Sequence, residues 1–188
     1  TANVTVLDGI APDAIAQDVV VVLDANGDGS ITATQVDNGS SDACGIASMT
    51  VSPNTFDCSN VGDNEVTLTV TDVNGNVSTA TANADVQDNT NPTAVCQAVT
   101  VTLDANGTAT IAPADVDGGS EDACGIFSYE IDIDTFGCDD LGDNDVVLTV
   151  TDNNGNVSTC TAVVTVLGDL PVVDITEAVL PGLCQGDF

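Results

Sequence analysis

Along much of this chain hydrophobic and polar residues alternate with a period of two. In "EVTLTVTD" at 65–72, Val66, Leu68 and Val70 fall on one face and Thr67, Thr69 and Thr71 on the other, as in a half-buried strand. Asn74-Gly75 follows, a pair that accepts the positive φ of a tight hairpin turn, and the chain returns through 77–86. "VVVVLDANGDGSIT" at 19–32 reads as a second hairpin centred on Asn26-Gly27. Shorter strands fit 46–51 and 127–133, and helix is expected only as a turn near 34–36 and at 113–116. Short strands punctuated by turn signals predict an all-β fold, an immunoglobulin-like β-sandwich.

The pattern occurs twice. A shift of 80 positions brings "LDANG" at 23–27 onto 103–107, "DACGI" at 42–46 onto 122–126, and "GDN" at 62–64 onto 142–144. Such self-similarity marks tandem copies of one unit, each long enough to be a small domain. The expected organisation is the last strand of a preceding repeat at 1–8 and immunoglobulin-like repeats at 9–88 and 89–168. A linker and the start of a different, truncated domain are expected at 169–188. Thr1 would then fall inside a repeat, which suggests a piece of something longer.

Composition narrows the function. The 188 residues include 30 acidic side chains and no Lys, Arg or His, a formal charge of −30. No group here could neutralise phosphates, which excludes nucleic-acid binding through a basic face and docking on an anionic membrane. Hydrophobic residues still make up 43% of the chain, enough for cores, although aromatics are only 3% and those cores must be small. No run reaches membrane-spanning length. Without His, Lys or Arg, neither a Ser-His-Asp nor a Cys-His nucleophile can form, nor a Schiff base, and no catalytic residue is assigned. Phe56 and Phe136, at equivalent positions, read as core.

Seven cysteines point to an oxidising setting; with no His and no CxxC spacing, zinc is disfavoured. The second repeat has Cys96, Cys124, Cys138 and Cys160, which allow three pairings. The first keeps Cys44 and Cys58 but carries Ala16 and Ala80 at the other two positions. Joint loss suggests a bonded pair, so the expected bridges are Cys44–Cys58, Cys124–Cys138 and Cys96–Cys160. Cys96 and Cys160 lie early in the first and last strands, which predicts that those strands run side by side and parallel. Each repeat then has its termini at opposite ends, and repeats follow one another end to end. Cys184 is expected to pair beyond Phe188.

Asp and Asn clusters suggest calcium, a hard cation that takes oxygen ligands. Asp24, Asn26 and Asp28 resemble the start of a calcium loop, but the twelfth position is Gln35 and the second repeat has Thr108 in place of Asp28, so a plain turn is expected. The predicted topology instead brings Asp72 and Asn74 near Asp8, and Asp152 and Asn154 near Asp88 and Asn91, as interdomain calcium sites. The loops carrying Asp37 with Asp42, and Asp117 with Asp122, are a second candidate. Turn capping by the same side chains is the competing explanation.

The string "CQAVTVTLDANGTATI…DACGI…LGDNDVVLTVTDNNGNVSTCTAVVTV" resembles the tandem HYR-like, immunoglobulin-type repeats of giant gliding-motility adhesins of the Bacteroidota, over roughly residues 1–168. The resemblance implies type IX secretion, cell-surface display, and partnership with the gliding and secretion machinery and with external surfaces or polysaccharides. The expected role is a structural stalk segment of an acidic adhesin. A carbohydrate- or protein-binding module of a secreted or surface protein is the alternative, and a carrier domain beside a secreted enzyme a third reading.

Overall fold

The computed structural model describes residues 2–4 and 7–168. The domain start expected at 169–188, and Cys184 within it, lie outside the described residues. The chain divides into two compact units between Thr90 and Asn91, and in the described part of 1–8 no residue is in a strand.

The first unit contains β1 (Val19–Val22), β2 (Gly29–Ser30), β3 (Ile46–Ser52), β4 (Thr55–Phe56), β5 (Gly62–Asp72) and β6 (Val77–Gln87), with one helical turn at Ala33–Val36. The second repeats this as β7 (Val99–Thr102), β8 (Ala109–Thr110), β9 (Ile126–Ile131), β10 (Thr135–Phe136), β11 (Gly142–Asp152) and β12 (Val157–Leu167), with its helical turn at Pro113–Val116. Four strands make the larger sheet of each unit, in the orders β1-β6-β5-β3 and β7-β12-β11-β9. Strands β2 with β4, and β8 with β10, form a small second layer.

Alternation accounts for the core. Val66, Leu68 and Val70 of β5, and Val146, Leu148 and Val150 of β11, are fully buried, while Thr67 and Thr69, and Val147 and Thr149, between them are half-buried. Val36 and Val116 close the core from the helical turns, and Phe56 and Phe136 pack into it from the second layer, as their matched positions suggested.

The first and last strands of each repeat run parallel, Val19–Val22 beside 84–87 and Val99–Thr102 beside 164–167. Each repeat thus has a leading end, near the 73–76 or 153–156 turn, and a trailing end, near Gln87 or Leu167.

The segment around Asn26-Gly27 differs from the expected hairpin. Its turn closes, with Asp24 N–H donating to the Asp28 carbonyl at 2.9 Å. The flanking strands then separate, β1 to the larger sheet and β2 to the smaller. The crossing is tight: a Cβ on Gly29 would lie 2.7 Å from Val21 Cγ1. Strand β9 also ends at Ile131 rather than 133.

Candidate metal centre and cysteine sites

The turn carboxylates act first as caps. Asp24 Oδ1 accepts from the backbone N–H of Asn26 at 2.8 Å and of Asp28 at 3.1 Å. Asp104 does the same with Asn106 and Thr108, at 2.9 and 3.0 Å. Both copies therefore make a plain turn, and these bonds hold the Asp24 and Asp104 carboxyls below the usual range.

Asp72 and Asp152 extend the buried register of β5 and β11 and are each 1% exposed. A carboxylate there needs donors. Asp72 Oδ1 accepts from the N–H groups of Asn74 and Asn76, both at 2.8 Å, and Oδ2 from Asn76 Nδ2 at 2.7 Å. Asp152 has the matching bonds from Asn154 and Asn156, at 2.8 Å each. Burial opposes ionisation of Asp72, yet the Asn76, Asn74 and Gly75 donors outweigh it and lower its pKa.

The expected meeting of this turn with the incoming segment occurs in the first repeat. Asn76 Nδ2 donates to the carbonyls of Asp8 and Ile10, at 3.3 and 3.1 Å. The side chains gathered there are Asp8, Asp42 and Cys44, with one ligand atom from each within 4.8 Å of the others. Asp88 is buried, and in the second unit Asp122 Oδ1 accepts from the Cys124 N–H at 2.8 Å. In the first unit the linker and loop candidates thus share one place, through Asp8 with Asp42. Asp37 and Asp117 instead cap their loops, each accepting from a serine N–H, Ser40 or Ser120, at 2.9 Å. Asn91 is exposed.

Two carboxylates are a partial shell for a cation that takes six to eight oxygens. Asp42 Oδ1 is further engaged by the N–H groups of Cys44 and Gly45, at 2.7 and 3.1 Å. At Cys44, a hydrogen bond to the Asp8 carboxylate and that carboxylate's charge, with Asp42 and Asp72 adding to it, push the thiol pKa up. Cys44 is therefore a protonated thiol at neutral pH.

Cysteine pairing differs from the expectation in part. Cys96 and Cys160 form the long bridge, with Cα atoms 5.8 Å apart. Cys44 is a free, exposed thiol, so Cys44–Cys58 is not formed; Cys58 is disulfide-bonded, as are Cys124 and Cys138. The reason is antiparallel geometry. Cys44 lies at the leading end, where Val73 N–H donates to the Gly45 carbonyl. Cys58 lies at the trailing end, its sulfur 3.9 Å from the Gly27 carbonyl, and leads into the first residue of β5. The 11 residues of β5 separate them, a length of about 33 Å, against the roughly 7 Å between Cα atoms that a disulfide spans. Likewise Asn153 Nδ2 donates to the Cys124 carbonyl at the leading end of the second repeat, while Cys138 precedes Gly142 at the trailing end. The 11 residues of β11 therefore rule out Cys124–Cys138. The signal was present in the sequence: each of these cysteines lies within four residues of the start of one of two antiparallel neighbour strands, and such strands start at opposite ends.

No protein-family model matches the chain, and no curated protein matches it. Among solved structures it is similar to Drosophila N-cadherin EC1-4, with TM-score 0.43 and 13% identity over 84% of this chain and 49% of that one. Human protocadherin-24 EC1-2 gives TM-score 0.43 and 12% identity over 87% of this chain and 100% of that one. The endo-fucoidan hydrolase MfFcnA9 gives 0.28 and 14%, over 82% and 34%. The chain spans about half the length of the protocadherin gamma B7 and N-cadherin structures that it matches. These likenesses concern strand arrangement alone.

Proposed function

We propose that this chain is a load-bearing segment in the stalk of an acidic extracellular adhesin of the gliding-motility, SprB type. Its partners are the secretion and gliding machinery on one side and external surfaces or polysaccharides on the other, and its role is mechanical rather than enzymatic. Parallel pairing of the first and last strands carries this reading. Force applied through the two ends of a repeat shears the β1–β6 or β7–β12 hydrogen bonds together instead of opening them one at a time. In the second repeat Cys96–Cys160 adds a covalent path between the same strands. The surplus of carboxylates and the Asp8–Asp42 cluster favour divalent cations such as calcium as stabilisers.

Single-molecule pulling tests the mechanical role. A repeat held by its two ends should unfold at higher force than the same repeat held at residues 62 and 87, a geometry that peels β5 from β6. Equal forces would count against it. Antibody labelling of intact cells tests surface display.

A further inference from the structure

We propose that strand β9, the outer edge of the larger sheet in the second repeat, docks an extended basic segment of a partner protein, which adds to the sheet as a further strand. Strand β9 is last in the order β7-β12-β11-β9 and, among the described residues, pairs with β11 alone. Asp132 N–H donates to the Val147 carbonyl at 3.3 Å, so Asp132, and with it Glu130 and Ser128, turn their backbone groups toward β11. Alternation leaves the N–H and C=O of Tyr129 and Ile131 directed away from β11, a row with which an added strand can pair. The side chains of Tyr129 and Ile131 pack against the core, which fixes this register.

The two repeats treat this edge differently. Just past the strand the first repeat has Pro53, which has no N–H to offer and blunts an edge; the second has Ile133. The register shift between Thr151 and Asp152 leaves Phe127 unpaired at a bulge, with its side chain 75% exposed. Its counterpart is Ala47. Phe56 and Phe136 are buried, so a ring held out in water sets Phe127 apart, and aromatic rings are the usual anchors of an interface. Glu130, Asp132 and Asp134 stand where the first repeat has Thr50, Ser52 and Asn54, and all three are exposed. Asp132 and Asp134 each engage a local donor through Oδ1 alone, Val147 N–H at 2.8 Å and the Thr135 hydroxyl at 2.9 Å.

Charge selects the partner. An added strand comes beside these carboxylates, and the chain has no Lys, Arg or His of its own to neutralise them. Lys or Arg side chains supply charge-assisted hydrogen bonds to carboxylates and can lie over the face of the Phe127 ring. A second copy of this chain would bring the same carboxylates to the edge and be repelled. The inference does not rest on the stalk reading, because a purely mechanical repeat has no use for an exposed ring.

Titration of the full chain with a short synthetic peptide alternating Lys and Thr tests this, read from backbone amide shifts by NMR. Two control peptides accompany it, one with Glu in place of Lys and one with a fully N-methylated backbone, which keeps the charge but cannot donate to an edge. The expected shifts concentrate on 127–133, leave 47–53 unmoved, and disappear with either control. Phe127→Ala with Glu130→Thr, which installs the residues the first repeat already carries in this strand, should weaken binding about tenfold. Absence of binding, shifts spread evenly over the acidic surface, equal binding of the N-methylated peptide, or an unweakened double variant would overturn the proposal. So would dimerisation that Phe127→Ala abolishes, which makes a second copy the occupant, or binding of maltoheptaose at Phe127 that the Lys peptide does not displace.

Discussion

Restoring the missing long bridge to the first repeat should raise its stability to match the second. The backbone there is already in place. Ala16 is bridged to Asp37 as Cys96 is to Asp117, and Ala80 lies opposite Leu68 as Cys160 lies opposite Leu148. In the second repeat this frame holds the Cα atoms 5.8 Å apart across a separation of 64 residues, a spacing that Ala16 and Ala80 share. Chain-entropy arithmetic for a loop of that size gives about 4 kcal/mol. For a domain of this size that amount shifts a melting midpoint by on the order of 20 °C. The experiment is Ala16→Cys with Ala80→Cys in a Cys44→Ser background, which removes the thiol that could divert the new pair. Calorimetry with and without reductant should show the first-repeat transition move up only when oxidised. Thiol counting that proves the bond formed, together with an unmoved transition, would refute the account of unequal stability. Breaking Cys96–Cys160 should lower the second repeat by a similar amount.

Four further outcomes are expected. Asp72→Ala removes the acceptor for three turn donors and should lower the first-repeat midpoint more than Asp139→Ala, an exposed control, lowers the second; thermal melts of the two variants check this. Asp24, Asp37, Asp57, Asp72, Asp104 and Asp117 all have folded pKa values below the ordinary 3.8. Their contribution is complete above the unfolded value and is lost as pH falls through the lower folded ones, so denaturant midpoints should drop below about pH 3.9 and hold between pH 5 and 7. A decline beginning near pH 6 would contradict that sign. The raised thiol pKa of Cys44 makes its alkylation slow at pH 8 and faster as pH rises, and Asp8→Asn should accelerate it severalfold by removing the hydrogen bond and the nearest charge. Calcium should raise the melting midpoints relative to chelator, and Asp8→Asn with Asp42→Asn should reduce the effect in the first repeat.

Much of the architecture was legible because period-two alternation and turn residues are local signals. Val66, Leu68 and Val70 declared the inner face of β5, and Asn74-Gly75 the turn to β6. The joint replacement of cysteine by Ala16 and Ala80 pointed to Cys96–Cys160, and through it to the parallel first and last strands. The Asn26-Gly27 segment misled because its turn chemistry is that of a hairpin; a crossing between layers uses the same residues when Gly29 must pass Val21 closely. The metal candidates were only half legible. Asp72 and Asp152 look like ligands in the sequence, and only their place in the buried register shows that their oxygens are taken by the turn.

The linear chain by itself determined the repeat, the strands, the absence of basic side chains and the long covalent clamp. Each follows from neighbours along the backbone or from residues lost together. Tertiary structure decided which end of a repeat each remaining cysteine and carboxylate occupies. A strand of 11 residues carries positions that are close in sequence far apart in space, placing Cys58 away from Cys44 and gathering Asp8 with Asp42.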